Sequence, residues 1–222
     1  MIKVHHLEAS RSQRVLWMLE ELEVPYELVT YACDPKTLLA PPALCEVHPL
    51  GKSPVIEDGG HTYAESGNLL EHLVETYGDG RFVPARGTAG YRDYRYFMHY
   101  AEGSLMPFLL LRLIFAKVRG APVPFFVKPV VKKIATTVSG QFVTPNLTRH
   151  MAFLDAHLAT HAWFAGDDFT AADVQMSYPM EALVERAQEL GVPPRIGAYV
   201  ARVKERPAYQ RALAKGGPTV VV

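Results

Sequence analysis

Apolar and polar positions in the first eighty residues change period several times. "IKVHHLE" reads as a short strand. In "SQRVLWMLEEL", Val15, Leu19 and Leu22 recur at helical spacing, and Val24–Pro25 ends the run. "YELVTY" alternates as a second strand. "DPKTLLAPPALCEVHPLG" holds four prolines and is expected to be a loop with one irregular helical turn. "PVIE" and "HTYAE" then flank Asp58–Gly59–Gly60, residues suited to a tight hairpin turn, and "SGNLLEHLVETYG" follows as a helix closed by Gly78. The expected order is β-α-β-α-β-β-α.

The pattern changes after "GDGRFVPARGTAG". From Tyr91 onward the periods are helical. "GYRDYRYFMHYAEGSLMPFLLLRLIFAKV" predicts one long helix or two, with Pro107 as the kink. "APVPFF" interrupts, and helices are expected at 127–135, 141–160, 171–190 and 195–205. In "FTAADV", Thr170 and Asp173 form a capping-box pattern with Phe169 and Val174 at the staple positions. The chain therefore divides into an α+β domain over residues 1–80, a linker over 81–88 and an all-α domain over 89–222.

Composition narrows the function classes. Of 222 residues, 23 are basic and 23 acidic, so the balance predicts no overall field for nucleic acid or an anionic membrane. "LMPFLLLRLIF" is too short to span a bilayer, and "MIKVHHLEAS" lacks the apolar run of a secretory leader. A cytoplasmic location is expected. Cys33 and Cys45 make no C-x-x-C pair and have no ligand cluster beside them, which argues against a disulfide scaffold or a metal site.

The chemistry concentrates in "HPLGKSPVIEDGGHTYAESGNLLEHL", residues 48–73. Pro54 opens a strand and cannot donate to the ladder. It suits an ordinary edge position or, with a cis bond, a turn that exposes the Ser53 backbone to an extended peptide. Glu65–Ser66 stands at a helix start. Ser66 can act as the N-cap; equally, the free N–H groups and its hydroxyl can hold a carboxylate while Glu65 takes an ammonium. Together these are the parts of an α-amino-acid head group.

On these residues the chain resembles the glutathione S-transferase superfamily. "HYAEGSLMP" resembles a bacterial and fungal subgroup, and "FTAADV" matches the family's capping box and staple. The resemblance spans nearly the whole chain. It implies a thioredoxin-like first domain, a cis bond before Pro54, Ser53 backbone contacts to the cysteinyl part of glutathione, and Glu65–Ser66 on its γ-glutamyl group. A side chain that contributes only backbone is free to vary, so serine at 53 raises no objection. Lys52 is either a partner for the glycyl carboxylate or a solvated loop lysine.

A thiol of pKa about 8.5 must lose about two units to be mostly thiolate at neutral pH, which requires roughly 2.7 kcal/mol of selective anion stabilisation. A helix N-terminus and one hydroxyl suffice, which directs attention to "EASRSQRVLW". Ser10 is the first candidate, four residues before Arg14 as in serine-type members of the superfamily; Ser12 is the alternative, and either can simply cap the helix. His6 borders this region or is a packed histidine. The loop has no cysteine, and no tyrosine precedes Tyr26. The expected activity is conjugation of glutathione to small apolar electrophiles, with glutathione-dependent peroxide reduction also open. The competing expectation is a non-catalytic glutathione-binding or scaffold protein. Tyr94, Met98, Met106, Phe108 and Tyr178 are candidates for an acceptor pocket or for core. The resemblance also implies a two-fold homodimer.

Overall fold

The computed structural model describes residues 1–34 and 39–219. The part of the proline-rich loop at 35–38 lies outside the described residues. Strands β1 (Ile2–Leu7), β2 (Tyr26–Tyr31), β3 (Val55–Asp58) and β4 (His61–Ala64) form one sheet in the order β2-β1-β3-β4. β2 runs parallel to β1, with Ile2 opposite Tyr26. β3 is antiparallel to β1, with Val4 opposite Ile56, and β4 is antiparallel to β3. Gly59 and Gly60 close the β3–β4 hairpin at φ of 57° and 82°, the two consecutive left-handed positions that a tight right-twisting hairpin requires.

Helix α1 (Gln13–Leu22) follows β1, and its C-cap is Glu23 in the left-handed region. The irregular turn expected before the opening motif is the short helix α2 (Ala43–Val47). Helix α3 (Ser66–Tyr77) ends at Gly78, but Gly78 keeps right-handed dihedrals and the positive φ falls on Asp79. A Cβ at Gly78 would overlap the Val74 carbonyl, so close approach explains this glycine.

A helical array follows: α4 (Ala89–Tyr100), α5 (Met106–Arg119), α6 (Lys128–Val138), α7 (Thr144–Leu158), α8 (Ala171–Arg186), α9 (Pro194–Lys204) and α10 (Pro207–Gly216). A π-helical turn, Ala101–Leu105, joins α4 to α5 just before Pro107. A second, Ser139–Val143, joins α6 to α7 just before Pro145. Proline removes an N–H and crowds the carbonyl four residues back, and the wider turn absorbs both effects. The helical irregularity expected at Pro107 therefore appears one turn earlier, as the π-helical turn.

Helix α8 is the buried spine of the helical part. The Asp173 carboxylate accepts from the Thr170 amide (2.9 Å), the Thr170 hydroxyl (3.1 Å), the Phe164 amide (2.9 Å) and the Tyr199 hydroxyl (3.1 Å). The capping residue thus ties three segments together. Helix α10 was not anticipated from the sequence; it packs along α1, with Tyr209 edge-on to Trp17 at 5.2 Å.

Candidate active site

Three chain segments meet at the end of β1: the loop into α1, the start of β3 and the start of α3. The Ser53–Pro54 bond is cis. The β3 ladder begins at Val55, so the Ser53 amide and carbonyl lie beyond it, and neither has a partner among the described residues. The Ser53 side chain is not the free position expected. Its hydroxyl accepts from the Leu7 amide (3.2 Å) and donates to the His5 carbonyl (2.8 Å), extending the β1–β3 contact where Pro54 has no N–H to give.

The N-cap of α3 is Glu65, not Ser66. Glu65 sits at φ 71°, ψ 121°, a region costing a non-glycine residue about 1–3 kcal/mol. Its carbonyl accepts the Leu69 amide at 2.9 Å. Its exposed carboxylate makes no ion pair among the described residues. Ser66 is the first helical residue and is buried, and its hydroxyl oxygen accepts from Arg14 Nη2 at 2.9 Å. A hydroxyl fixed as acceptor on one side keeps its proton for an anion on the other. That proton and the unpaired amides of the first turn of α3 share one site.

Arg14 is fully buried and organises this corner. Nη1 donates to the Gln175 carbonyl at 2.7 Å, and Nη2 also reaches Glu102 Oε1 at 2.5 Å. Arg11 Nε grips both Glu102 oxygens at 3.1 and 3.2 Å and lies 5.1 Å from the Tyr178 ring centroid. Burial lowers the Arg14 pKa, opposed chiefly by Glu102. Burial alone would raise Glu102, but Arg14 and Arg11 outweigh it and hold the carboxyl below its ordinary range. Glu102 sits on the π-helical turn, and Gln175 lies four residues before Pro179 in α8. Pro179 cannot donate back to that carbonyl, which is left free for the guanidinium. Sequence reasoning missed both groups. The signals were an acid midway along the quoted helical run, the last before the acid-free stretch, and a proline inside a helix.

The serine loop is hydrogen-bonded throughout. His6 is buried, and burial lowers its pKa. Its Nε2 lies 2.8 Å from the Gly216 carbonyl, which can only accept, so Nδ1 accepts from the Ser12 hydroxyl at 2.7 Å. His6 is thus a packed histidine. Ser12 is fully enclosed, with its oxygen also 3.2 Å from the Leu7 amide. Ser10 is half-buried; it donates to the Leu7 carbonyl at 2.7 Å and accepts from the Ser12 amide at 3.2 Å. The first amides of α1 bond to the Ser10, Arg11 and Ser12 carbonyls. What α1 offers a ligand at this end is therefore its dipole rather than free donors.

Lys52 is exposed and forms no ion pair among the described residues. Tyr94, Met98 and Met106 are core. Phe108 is partly buried and packs on Phe142 and His150. Tyr178 alone of the five touches the charged cluster, through Arg11 and Arg14.

Comparison with known proteins gives one consistent answer. Residues 4–81 match the family described as glutathione S-transferase, N-terminal domain, and residues 123–216 match glutathione S-transferase, C-terminal domain. Glutathione S-transferase 3 of Schizosaccharomyces pombe is 37% identical over 97% of this chain and 88% of its own length. Glutathione S-transferase 1 of Saccharomyces cerevisiae is 30% identical over 84% of this chain and 82% of its own. Among solved structures, a glutathione S-transferase from Actinobacillus pleuropneumoniae superposes with a TM-score of 0.79 at 28% identity, covering 99% of this chain and 94% of that one. A sphingomonad glutathione S-transferase complexed with glutathione shares the fold, with a TM-score of 0.71 at 20% identity over 97% and 98% of the two chains.

Proposed function

This chain belongs to the glutathione S-transferase superfamily and is an enzyme of that class, and from that premise we propose that it joins the sulfur of glutathione to small apolar electrophiles through a stabilised thiolate. Glutathione lies along Ser53, whose unpartnered amide and carbonyl pair with its cysteinyl unit. Its γ-glutamyl carboxylate takes the Ser66 hydroxyl proton and the first amides of α3, and Glu65 takes the ammonium. Lys52, exposed at the rim, meets the glycyl carboxylate. The observation that carries this reading is the Arg14–Ser66 bond, which engages the Ser66 oxygen as acceptor and so leaves its proton for an anion at the N-terminus of a twelve-residue helix.

Ser10 is the thiolate donor in this reading, since Ser12 is enclosed and committed to His6. The Ser10 proton turns from the Leu7 carbonyl to the sulfur, while the Ser12 proton stays on His6 Nδ1. The Arg11 charge and the α1 dipole add to the stabilisation. The protein supplies proximity and a charged nucleophile, and the electrophile needs no protein-bound intermediate. The same thiolate can attack the O–O bond of an organic hydroperoxide, so conjugation and peroxide reduction are measured side by side. Removal of apolar electrophiles in the cytoplasm, by a two-fold homodimer, completes the proposal. Two free cysteines are compatible with a reducing compartment.

The test is ultraviolet titration of the bound glutathione thiol. The parent is expected to ionise it about two units below the free value, and Ser10→Ala to return about half of that shift, with conjugation slowed on the order of tenfold. An unshifted thiol in the parent overturns the mechanism; a full shift in Ser10→Ala assigns the effect to Arg11 and the helix dipole. Ser66→Ala and Glu65→Ala should each weaken retention on glutathione resin, and unchanged retention in both removes the amino-acid clamp.

A further inference from the structure

Helices α5 and α6 form an arm with little buried surface. Across residues 107–143 only Leu109, Ala135 and Val143 are buried. The tip carries two adjacent phenylalanines, Phe125 and Phe126, which are 84% and 69% exposed. Their rings meet edge to face at 5.6 Å. Leu110, Ile114 and Val118 recur every four residues on α5, and Val130 and Ile134 do so on α6, all exposed. These apolar side chains lie outside the hydrophobic core of this chain, and together they exceed the scattered exposure that a surface ordinarily shows.

The charge on the same arm is one-sided. From Gly103 to Leu154 the sequence contains no aspartate or glutamate. Arg112 is turned inward to the Arg186 carbonyl and Glu189. Lys117, Arg119, Lys128, Lys132 and Lys133 are exposed and form no ion pair among the described residues. The Glu189 pKa is lowered chiefly by its own backbone amide and then by Arg112, and Arg119 acts on it only as the least of these, at longer range. Because the chain as a whole is neutral, everything outside this arm is net acidic. An apolar tip flanked by Lys117, Arg119 and Lys128, on a molecule otherwise repelled by anions, is a polarised surface.

We propose that the α5–α6 arm docks on the surface of an anionic lipid bilayer. Phe125 and Phe126 enter the boundary between headgroups and acyl chains, and the cations lie at the level of the lipid phosphates. Charge complementarity favours this occupant, since a bilayer meets both the apolar tip and the five unpaired cations, and only the arm is attracted. No helix among the described residues is long and apolar enough to cross a membrane, so the contact is peripheral. Neither phenylalanine belongs to the Ser53–Ser66 site, which leaves the proposal independent of the glutathione reading. A docked enzyme would meet apolar electrophiles where they concentrate.

The test is co-sedimentation of the full chain with vesicles of phosphatidylcholine alone and with phosphatidylserine added. Binding is expected to be about tenfold stronger with phosphatidylserine and to fall as salt is raised. The double substitution Phe125→Ser with Phe126→Ser should lose about tenfold of that binding without changing thermal unfolding or conjugation in free solution. Lys117→Glu with Lys128→Glu should abolish the preference for anionic vesicles. Equal sedimentation with both vesicle types overturns the proposal, as does undiminished binding by the phenylalanine variant. It is also overturned if the parent self-associates without lipid and the same variant dissolves the assembly, which would make the tip a contact between copies.

Discussion

A guanidinium taken out of water is stable only when its donors all find acceptors, and Arg14 reaches the Gln175 carbonyl, the Ser66 hydroxyl and Glu102. Each acceptor comes from a different stretch of chain, so the residue that aims Ser66 also joins α1 to α3 and α8. Elsewhere a buried acid has no such cation close by. Glu181 meets the Tyr209 hydroxyl at 3.1 Å, and burial pushes its pKa up to about 7, against partial relief from Lys204. Its ordinary value is 4.5. The folded state therefore binds the extra proton between those values, and the stability from this group is complete below the lower one and lost as pH rises through about 7. Asp173, pushed up to about 6 by burial, acts with the same sign at lower pH. Denaturant unfolding at pH 6 and pH 8 should show the parent losing on the order of 1 kcal/mol more than Glu181→Gln, since the buried His6, lowered in pKa, acts with the opposite sign in both. An equal loss in the variant would remove Glu181 as the cause.

At the scale of elements, prolines set where the helical part widens into π-helical turns and where it leaves a carbonyl free. Pro107 and Pro145 follow π-helical turns, and the first of those turns brings Glu102 to the arginines. Pro179 leaves the Gln175 carbonyl to Arg14. Pro179→Ala restores a helical N–H to compete for that carbonyl. Helix propensity favours the substitution by up to about 3 kcal/mol, so folding should survive, while retention on glutathione resin should weaken by several-fold as Arg14 loses an acceptor. Retention equal to the parent's would show that Arg14 does not depend on this carbonyl. The strands, α1, α3 and the capped start of α8 were legible because their periods and turn residues are local. Helix α10 was not: it is a ten-residue segment that gains its stability from α1 rather than from its own propensity.

The whole molecule is closed by the return of α10 to α1. Arg211 and Lys215 meet Glu20, Arg206 grips Glu21 at 2.6 and 2.8 Å, and Gly216 presents its carbonyl to His6. A Cβ at Gly216 would overlap Gln13 Oε1 and Leu16 Cδ1, so Gly216→Ala should cost roughly 1–3 kcal/mol and speed proteolysis of the C-terminal segment. An unchanged melting temperature and cleavage rate would mean that α10 is not held at this point. The overall charge balance concealed the acid-free arm, because a sum over a chain carries no information about position. What the sequence determined by itself was what is written in neighbouring residues: the order of elements as far as α9, the glycine hairpin, the acid–serine pair at a helix start and the two-part architecture. Only the tertiary structure decided which hydroxyl is open and which enclosed, that Ser53 bonds through its side chain, and that Glu102 and Gln175 complete the arginine's shell. These contacts span from 46 to 161 positions. Hydrogen-bond partners at such separations follow from packing geometry, which local periodicity does not encode.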